Sequence, residues 1–148
     1  MIPFTPPQHN FKICLKEGKR YIFDPLRKKY VALTPEEWVR QNFTSYLIDA
    51  KSYLPGLIAN EVQIAVGTTK KRCDTVIYDR SLRPRMIVEY KAPTVDISQS
   101  VFDQIVRYNM TLHVEYLTVT NGRQLFCCRI DYSRLTYEFL PDLPDLYK

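Results

Sequence analysis

Three residues in one short stretch have the types and spacing to do chemistry: Asp74, then Glu89 and Lys91 around Tyr90. In a strand over residues 86–91, alternation puts Ile87, Glu89 and Lys91 on one side and Met86, Val88 and Tyr90 on the other. An acid and a base therefore end an apolar run on a common face. Asp74 begins the preceding strand. If the hairpin pairs Asp74 with Glu89 or with Lys91, all three side chains share that face. A slip of one residue sends Asp74 to the other side, and the sequence leaves that register open.

Two carboxylates a few ångströms apart suit Mg²⁺, a small, hard ion that prefers oxygen ligands. Mn²⁺ is a natural substitute, and the backbone carbonyl of Tyr90 is an obvious extra ligand. Such an ion polarises a phosphoryl oxygen and lowers the pKa of a bound water. An adjacent lysine stabilises the charged transition state or positions the water. The alternative is a solvated sheet end, where Glu-x-Lys is a salt link worth little.

The elements that must position these residues follow from the rest of the sequence. Residues 1–10, with three prolines, form an extended arm, and residues 11–33 hold three short strands. A helix starts at Thr34, with Pro35 at its first position and Glu37 completing a capping box. Val39, Phe43, Tyr46, Leu47 and Ala50 form its buried stripe, with Glu36 at the stripe's N-terminal end and Glu37 turned toward Arg40. A strand over 60–66 leads through a polar turn over 67–72 to the Asp74 hairpin. A second helix capped by Ser98 follows, then strands flanking the Asn121-Gly122 hairpin signal. The core spans 34–131, and residues 132–148 add a last strand and an irregular tail. This order implies one domain of the α/β or α+β class, a mixed sheet with helices packed on it.

On the second helix Val101, Ile105, Tyr108 and Leu112 make the inward stripe. Gln104 stands at its edge, a neighbour of Tyr108. A carboxylate, metal-bound water or phosphate would satisfy Gln104; a half-exposed helix shoulder would serve equally.

The formal net charge is +5, which permits nucleic-acid binding without requiring it. Basic residues cluster at Lys16, Lys19 and Arg20, at Arg27, Lys28 and Lys29, at Lys70, Lys71 and Arg72, and at Arg80, Arg83 and Arg85. Each cluster reads either as a solvated turn or as a phosphate-contacting rim, and Arg123 reads the same way. Tyr78 and Tyr90, on the face opposite Glu89, read as core rather than base-stacking residues. Cys14, Cys73, Cys127 and Cys128 have neither zinc nor disulfide spacing, and read as free, buried thiols of a reducing cytosol. Without a signal peptide or an apolar run of spanning length, the expected location is cytoplasmic, with no membrane contact.

The runs "RCDTVIYD", "IVEYKAP", "FDQIVRYN" and "LTVTNG", with "FDPLRKKYVALTPEEWVRQ" upstream, resemble the N-terminal nuclease domain of type I restriction enzyme R subunits. That domain is placed in the PD-(D/E)XK nuclease superfamily. The resemblance spans residues 23–122 and implies a restriction-endonuclease-like fold. It implies Asp74 and Glu89 as metal ligands, Lys91 as the catalytic lysine, and Gln104 and Tyr108 as a QxxxY motif. An assisting acid on the first helix would be Glu37, or alternatively Glu36. The implied partners are DNA, subunits of a restriction-modification or other defence system, and a second copy of the chain. Cys73 replaces the signature proline, and no phosphate loop is present, so ATP-driven translocation is not implied. An inactive nuclease-like module that binds nucleic acid or a partner protein is the second expectation.

Overall fold

The computed structural model of the chain describes residues 1–4 and 9–147. Parts of the expected N-terminal arm (5–8) and tail (148) lie outside the described residues. Strands β1 (Ile13–Lys16), β2 (Lys19–Asp24) and β3 (Lys29–Ala32) form a small antiparallel sheet. Helix α1 (Pro35–Asp49) follows, then β4 (Ile58–Val66), β5 (Thr69–Tyr78) and β6 (Pro84–Tyr90). Helix α2 (Gln99–Met110) leads to β7 (Tyr116–Thr120), β8 (Leu125–Asp131) and β9 (Thr136–Phe139). The last six strands make one sheet in chain order. Among the described residues of this sheet, only β6 and β7 run parallel. A parallel pair needs a long crossover, and α2 lies within it.

The helices cover opposite faces of this sheet. Val39, Phe43 and Leu47 of α1 pack with Ile77, Met86, Val88, Tyr90 and Cys127. Phe102, Ile105 and Val106 of α2 pack with Val76, Ile87, Val119 and Cys128. Each large apolar side chain buried this way stabilises the domain by about 1.5–3 kcal/mol. The adjacent Cys127 and Cys128 are free and buried on the two faces, as alternation requires, whereas Cys14, expected buried, is only half-buried on the small sheet.

Several local expectations need correction. Lys70, Lys71 and Arg72 lie in β5, because the β4–β5 turn is confined to Gly67 and Thr68. Gly67 has φ +59, a conformation that costs glycine little. The Asn-Gly signal marks a four-residue connection, in which the Asn121 Oδ1 accepts from the Arg123 and Gln124 N–H groups. Ala50 is the exposed C-cap of α1. The buried face of α2 is Phe102, Ile105, Val106 and Asn109, which turns Tyr108 outward to 53% exposure. Tyr78 packs on the α2 side, not with Tyr90 on the α1 side.

A chain of ion pairs ties the small sheet to the large one. It runs Asp24–Arg27–Glu37–Arg40–Glu61–Arg72, from β2 through α1 to β4 and β5. Its centre is buried: Glu37 is 5% and Arg40 7% exposed. Thr34 caps α1 by accepting the Glu37 N–H at 3.0 Å. The Glu37 carboxylate accepts from Arg27, from two Arg40 nitrogens and from Gln41. Burial opposes its ionisation, but the Arg40 and Gln41 bonds and the nearby guanidinium charges prevail and hold its pKa below 4.5. A depressed carboxylate contributes stability that is present above the unfolded value and lost as pH falls through the folded one. Glu37→Gln therefore costs about 3 kcal/mol at pH 7, since Arg40 loses its buried partner. Urea melts across pH should show that deficit shrinking as acid is added below pH 4.5.

Candidate active site

The β5–β6 register decides whether the acids meet. Thr75 lies opposite Val88, Val76 opposite Ile87 and Ile77 opposite Met86. Continued by one residue, this register sets Asp74 opposite Glu89 on the same face. The hairpin turn enforces it. Asp79 accepts from the Ser81 and Arg83 N–H groups through Oδ1, and its own N–H bonds the Arg83 carbonyl. A register shift beside Tyr78 absorbs the remaining residue.

Beyond Thr75 the direct backbone pairing ends, and the Asp74 side chain takes over. Its Oδ2 accepts the Tyr90 N–H at 2.9 Å. The N–H and C=O of one strand residue point to the same neighbour, so the Tyr90 carbonyl also faces this gap. Lys91 continues the sheet by donating its N–H to the Thr120 carbonyl at 3.0 Å. Its ammonium stands 3.9 Å from Glu89 Oε2, with the glutamate side chain 25% exposed.

Both acids are held above their usual pKa. For Asp74 the chief cause is burial, countered by the Tyr90 N–H and the charges of Arg40 and Lys91, and reinforced by Glu61. For Glu89 burial again leads, the Lys91 charge opposes it, and the Asp74 charge adds to it. Two partly desolvated carboxylates on one face, with a strand carbonyl turned toward them, form an all-oxygen donor set. Mg²⁺ is held by one or two carboxylates with its own waters, and the set fits that ion. It does not fit a soft metal: burial and the two carboxylate charges push the neighbouring Cys73 thiol up to about 11, which keeps it protonated. Among the described residues, no three His, Cys, Asp or Glu side chains converge as a metal cage.

The other expected residues are placed less closely. Glu37 is held by the α1 ion pairs and Glu36 is exposed, so neither joins Asp74 and Glu89. Gln104 and Tyr108 share the exposed shoulder of α2. The Lys71 ammonium lies 3.8 Å from the Tyr108 ring centroid and donates to the Tyr108 carbonyl, tying that shoulder to β5. Lys70 precedes it, and Arg72 pairs with Glu61 at 2.9 Å. Arg123 binds the Pro93 carbonyl at 2.8 Å and Asp96 at 3.3 Å, clasping the loop after Lys91. Two concavities, of about 640 and 350 Å³, lie away from the two acids.

Two contributors escaped sequence reasoning. Arg40 donates through Nη1 to the Asp74 carbonyl and to Glu61, both at 2.7 Å, and so fixes the backbone that carries the aspartate. Glu61 has φ 58 in mid-strand, a conformation that costs a non-glycine residue and recurs at functional sites. Counting outward equally from Gly67 and Thr68 would have brought Glu61 opposite Asp74.

A raised carboxylate favours folding below its unfolded pKa, and that stability is lost as pH rises through the folded value. At pH 7 the Glu89 charge is therefore a net cost. Glu89→Gln should raise the melting temperature by roughly 2–4 °C, the shift that ~1 kcal/mol produces in a domain near this size. Calorimetry at pH 7 and pH 4 should show the gain disappearing at the lower pH.

Residues 35–144 match the family model of the Type I restriction enzyme R protein N terminus (HSDR_N). No curated protein matches the chain. A solved fragment structure, assigned to an HsdR subunit of a type I restriction enzyme from Vibrio vulnificus YJ016, shares the fold. Its TM-score is 0.51 at 21% identity, over 76% of this chain and 24% of the other. With the family segment covering most of its length, the chain belongs to the family of type I restriction enzyme R protein N-terminal domains.

Proposed function

We propose that this domain hydrolyses DNA phosphodiester bonds with Mg²⁺, or Mn²⁺ in its place, as a nuclease of the PD-(D/E)XK superfamily. The observation that carries the reading is the register that sets Asp74 against Glu89 with Lys91 beside them. Bound there, the ion would polarise a phosphoryl oxygen and acidify a water. Asp74, oriented by the Tyr90 N–H, and Glu89 supply oxygen donors, with the Tyr90 carbonyl as a third. Lys91, anchored by its backbone to β7, presents its ammonium to a phosphate oxygen and orients the attacking water. Gln104 and Tyr108 meet the DNA backbone from α2, flanked by Lys70, Lys71 and Arg72. The context is a cytoplasmic restriction-modification assembly, with other subunits supplying target choice. Two copies of the chain would address two strands.

A second reading, a binding module that does not cut, draws on the exposure of Gln104 and Tyr108 and on Glu37 being held elsewhere. Incubation with plasmid DNA separates the two. Cleavage should require Mg²⁺ or Mn²⁺, stop with EDTA, and fall at least about a hundredfold in Glu89→Ala and Lys91→Ala. Because both acids must ionise, activity should decline on acidification from a pH above the ordinary carboxylate range. Equal cleavage by all three proteins overturns the nuclease assignment. Absent cleavage with intact DNA binding favours the second reading.

A further inference from the structure

The positive charge is not spread over the molecule. Residues 12–30 hold seven Lys or Arg against Glu17 and Asp24, a balance of +5 that equals the net charge of the whole chain. The other residues are neutral in sum, with fourteen of each sign. This segment is the small β1–β2–β3 sheet, and it precedes the family segment of residues 35–144.

The arrangement within the sheet is specific. The register sets Cys14 opposite Tyr21, Lys16 opposite Lys19, and Phe23 opposite Tyr30. The Phe23 N–H bonds the Lys12 carbonyl, and the Lys12 ammonium lies 5.6 Å from the Phe23 ring centroid. One face thus carries Lys12, Lys16 and Lys19 interleaved with Tyr21, Phe23 and Tyr30. Phe23 and Tyr30 meet edge to face at 5.3 Å, and Tyr30 stays 47% exposed. Arg20, Lys28 and Lys29 are exposed at the margins.

Among the described residues, none of these six cations forms an ion pair, whereas Arg27, Arg40, Arg72, Arg85 and Arg123 all do. Like charges directly opposite in an antiparallel ladder destabilise it, so the Lys16–Lys19 pair is a local cost. A polyanion relieves that cost. Aromatic rings among lysines, with Tyr30 the exposed one and Phe23 at the edge of a groove against α1, also offer stacking surfaces to unpaired bases, a sequence-tolerant way to hold a single strand.

We propose that this face of the β1–β2–β3 sheet binds single-stranded nucleic acid, its lysines contacting phosphates and Tyr30 stacking on a base. The surface shares no residue with the Asp74 and Glu89 site, and the proposal stands whether or not that site cuts.

The test is fluorescence anisotropy of a labelled oligothymidylate and of a duplex of equal length. Titrations run in EDTA, across a salt series, with the whole chain in the Glu89→Ala background. The single strand should bind more tightly than the duplex. Each phosphate contact adds about −0.7 to the log–log salt slope, so K16E/K19E should flatten the slope by about 1.4 and weaken binding at least tenfold. Tyr30→Ala should weaken binding at unchanged slope. The control Arg134→Glu, on the far β8–β9 connection, should bind as the parent does.

Lys19→Glu alone should bind worse yet melt no lower, because it converts a repulsive pair into an attractive one. A merely structural role would move both readouts together. Unchanged binding in K16E/K19E, or an equal loss in Arg134→Glu, overturns the assignment. So does a duplex preference unaffected by Tyr30→Ala. Binding of K16-dependent character to phosphatidylserine vesicles, without oligonucleotide binding, replaces it with a membrane surface.

Discussion

Arg40 is the residue on which the rest of this structure depends. Its guanidinium is buried, so every N–H it carries needs an acceptor. It finds them on three elements: the Glu37 carboxylate on α1, the Glu61 carboxylate on β4 and the Asp74 carbonyl on β5. Burial opposes its charge, and the bonds to Glu37 and Glu61 raise its pKa all the same. A charge held this way positions more than it stabilises, since a buried pair roughly offsets its own desolvation. What it secures is the backbone at Asp74, where direct β5–β6 pairing stops.

That stop creates the candidate site. Two strands that pair through Thr75 and Val88 leave the Tyr90 N–H to be satisfied by a side chain, and Asp74 provides it. The aspartate is thereby oriented beside a second carboxylate that the same register delivers. Burial raises the pKa of both acids, the Asp74 charge adds to the cost at Glu89, and the Glu61 charge adds to the cost at Asp74. Local instability of this kind is what a cation site requires: the energy lost on burying like charges returns when a hard ion neutralises them. The depressed Glu37 shows the opposite solution, a carboxylate whose lone pairs are already used and which stabilises instead of binding.

How much of this was legible depended on the range of the interaction. Alternation along β6 placed Glu89 and Lys91 together, and separated Cys127 from Cys128, because period two is intrinsic to a strand. The mixed sheet with helices followed from the order of elements. Thr34 and Pro35 mark the α1 start in the sequence as they do in the fold. The Glu37 cage is not marked in the same way, because Arg27 reaches the carboxylate only after the small sheet docks on α1. Helical spacing puts Tyr108 on the inward stripe of α2, but the amphipathic phase falls one residue away, on Phe102 and Val106, and tyrosine tolerates either side. Lys70 to Arg72 read as a turn because polar residues suit one; the two-residue Gly67-Thr68 reversal claims them for a strand instead. Glu61 was hidden in an alternating strand whose pairing partner only the hairpin count reveals.

The central claim is that Asp74, Glu89 and the Tyr90 carbonyl together hold one divalent ion. Crystals grown with Mn²⁺ and measured for its anomalous scattering test this directly. The account predicts a single strong peak in the gap between β5 and β6, within about 2.0–2.3 Å of both carboxylates, as hard-ion coordination requires. A peak on other residues, or the Lys91 ammonium seated between the two acids with no ion present, would contradict it.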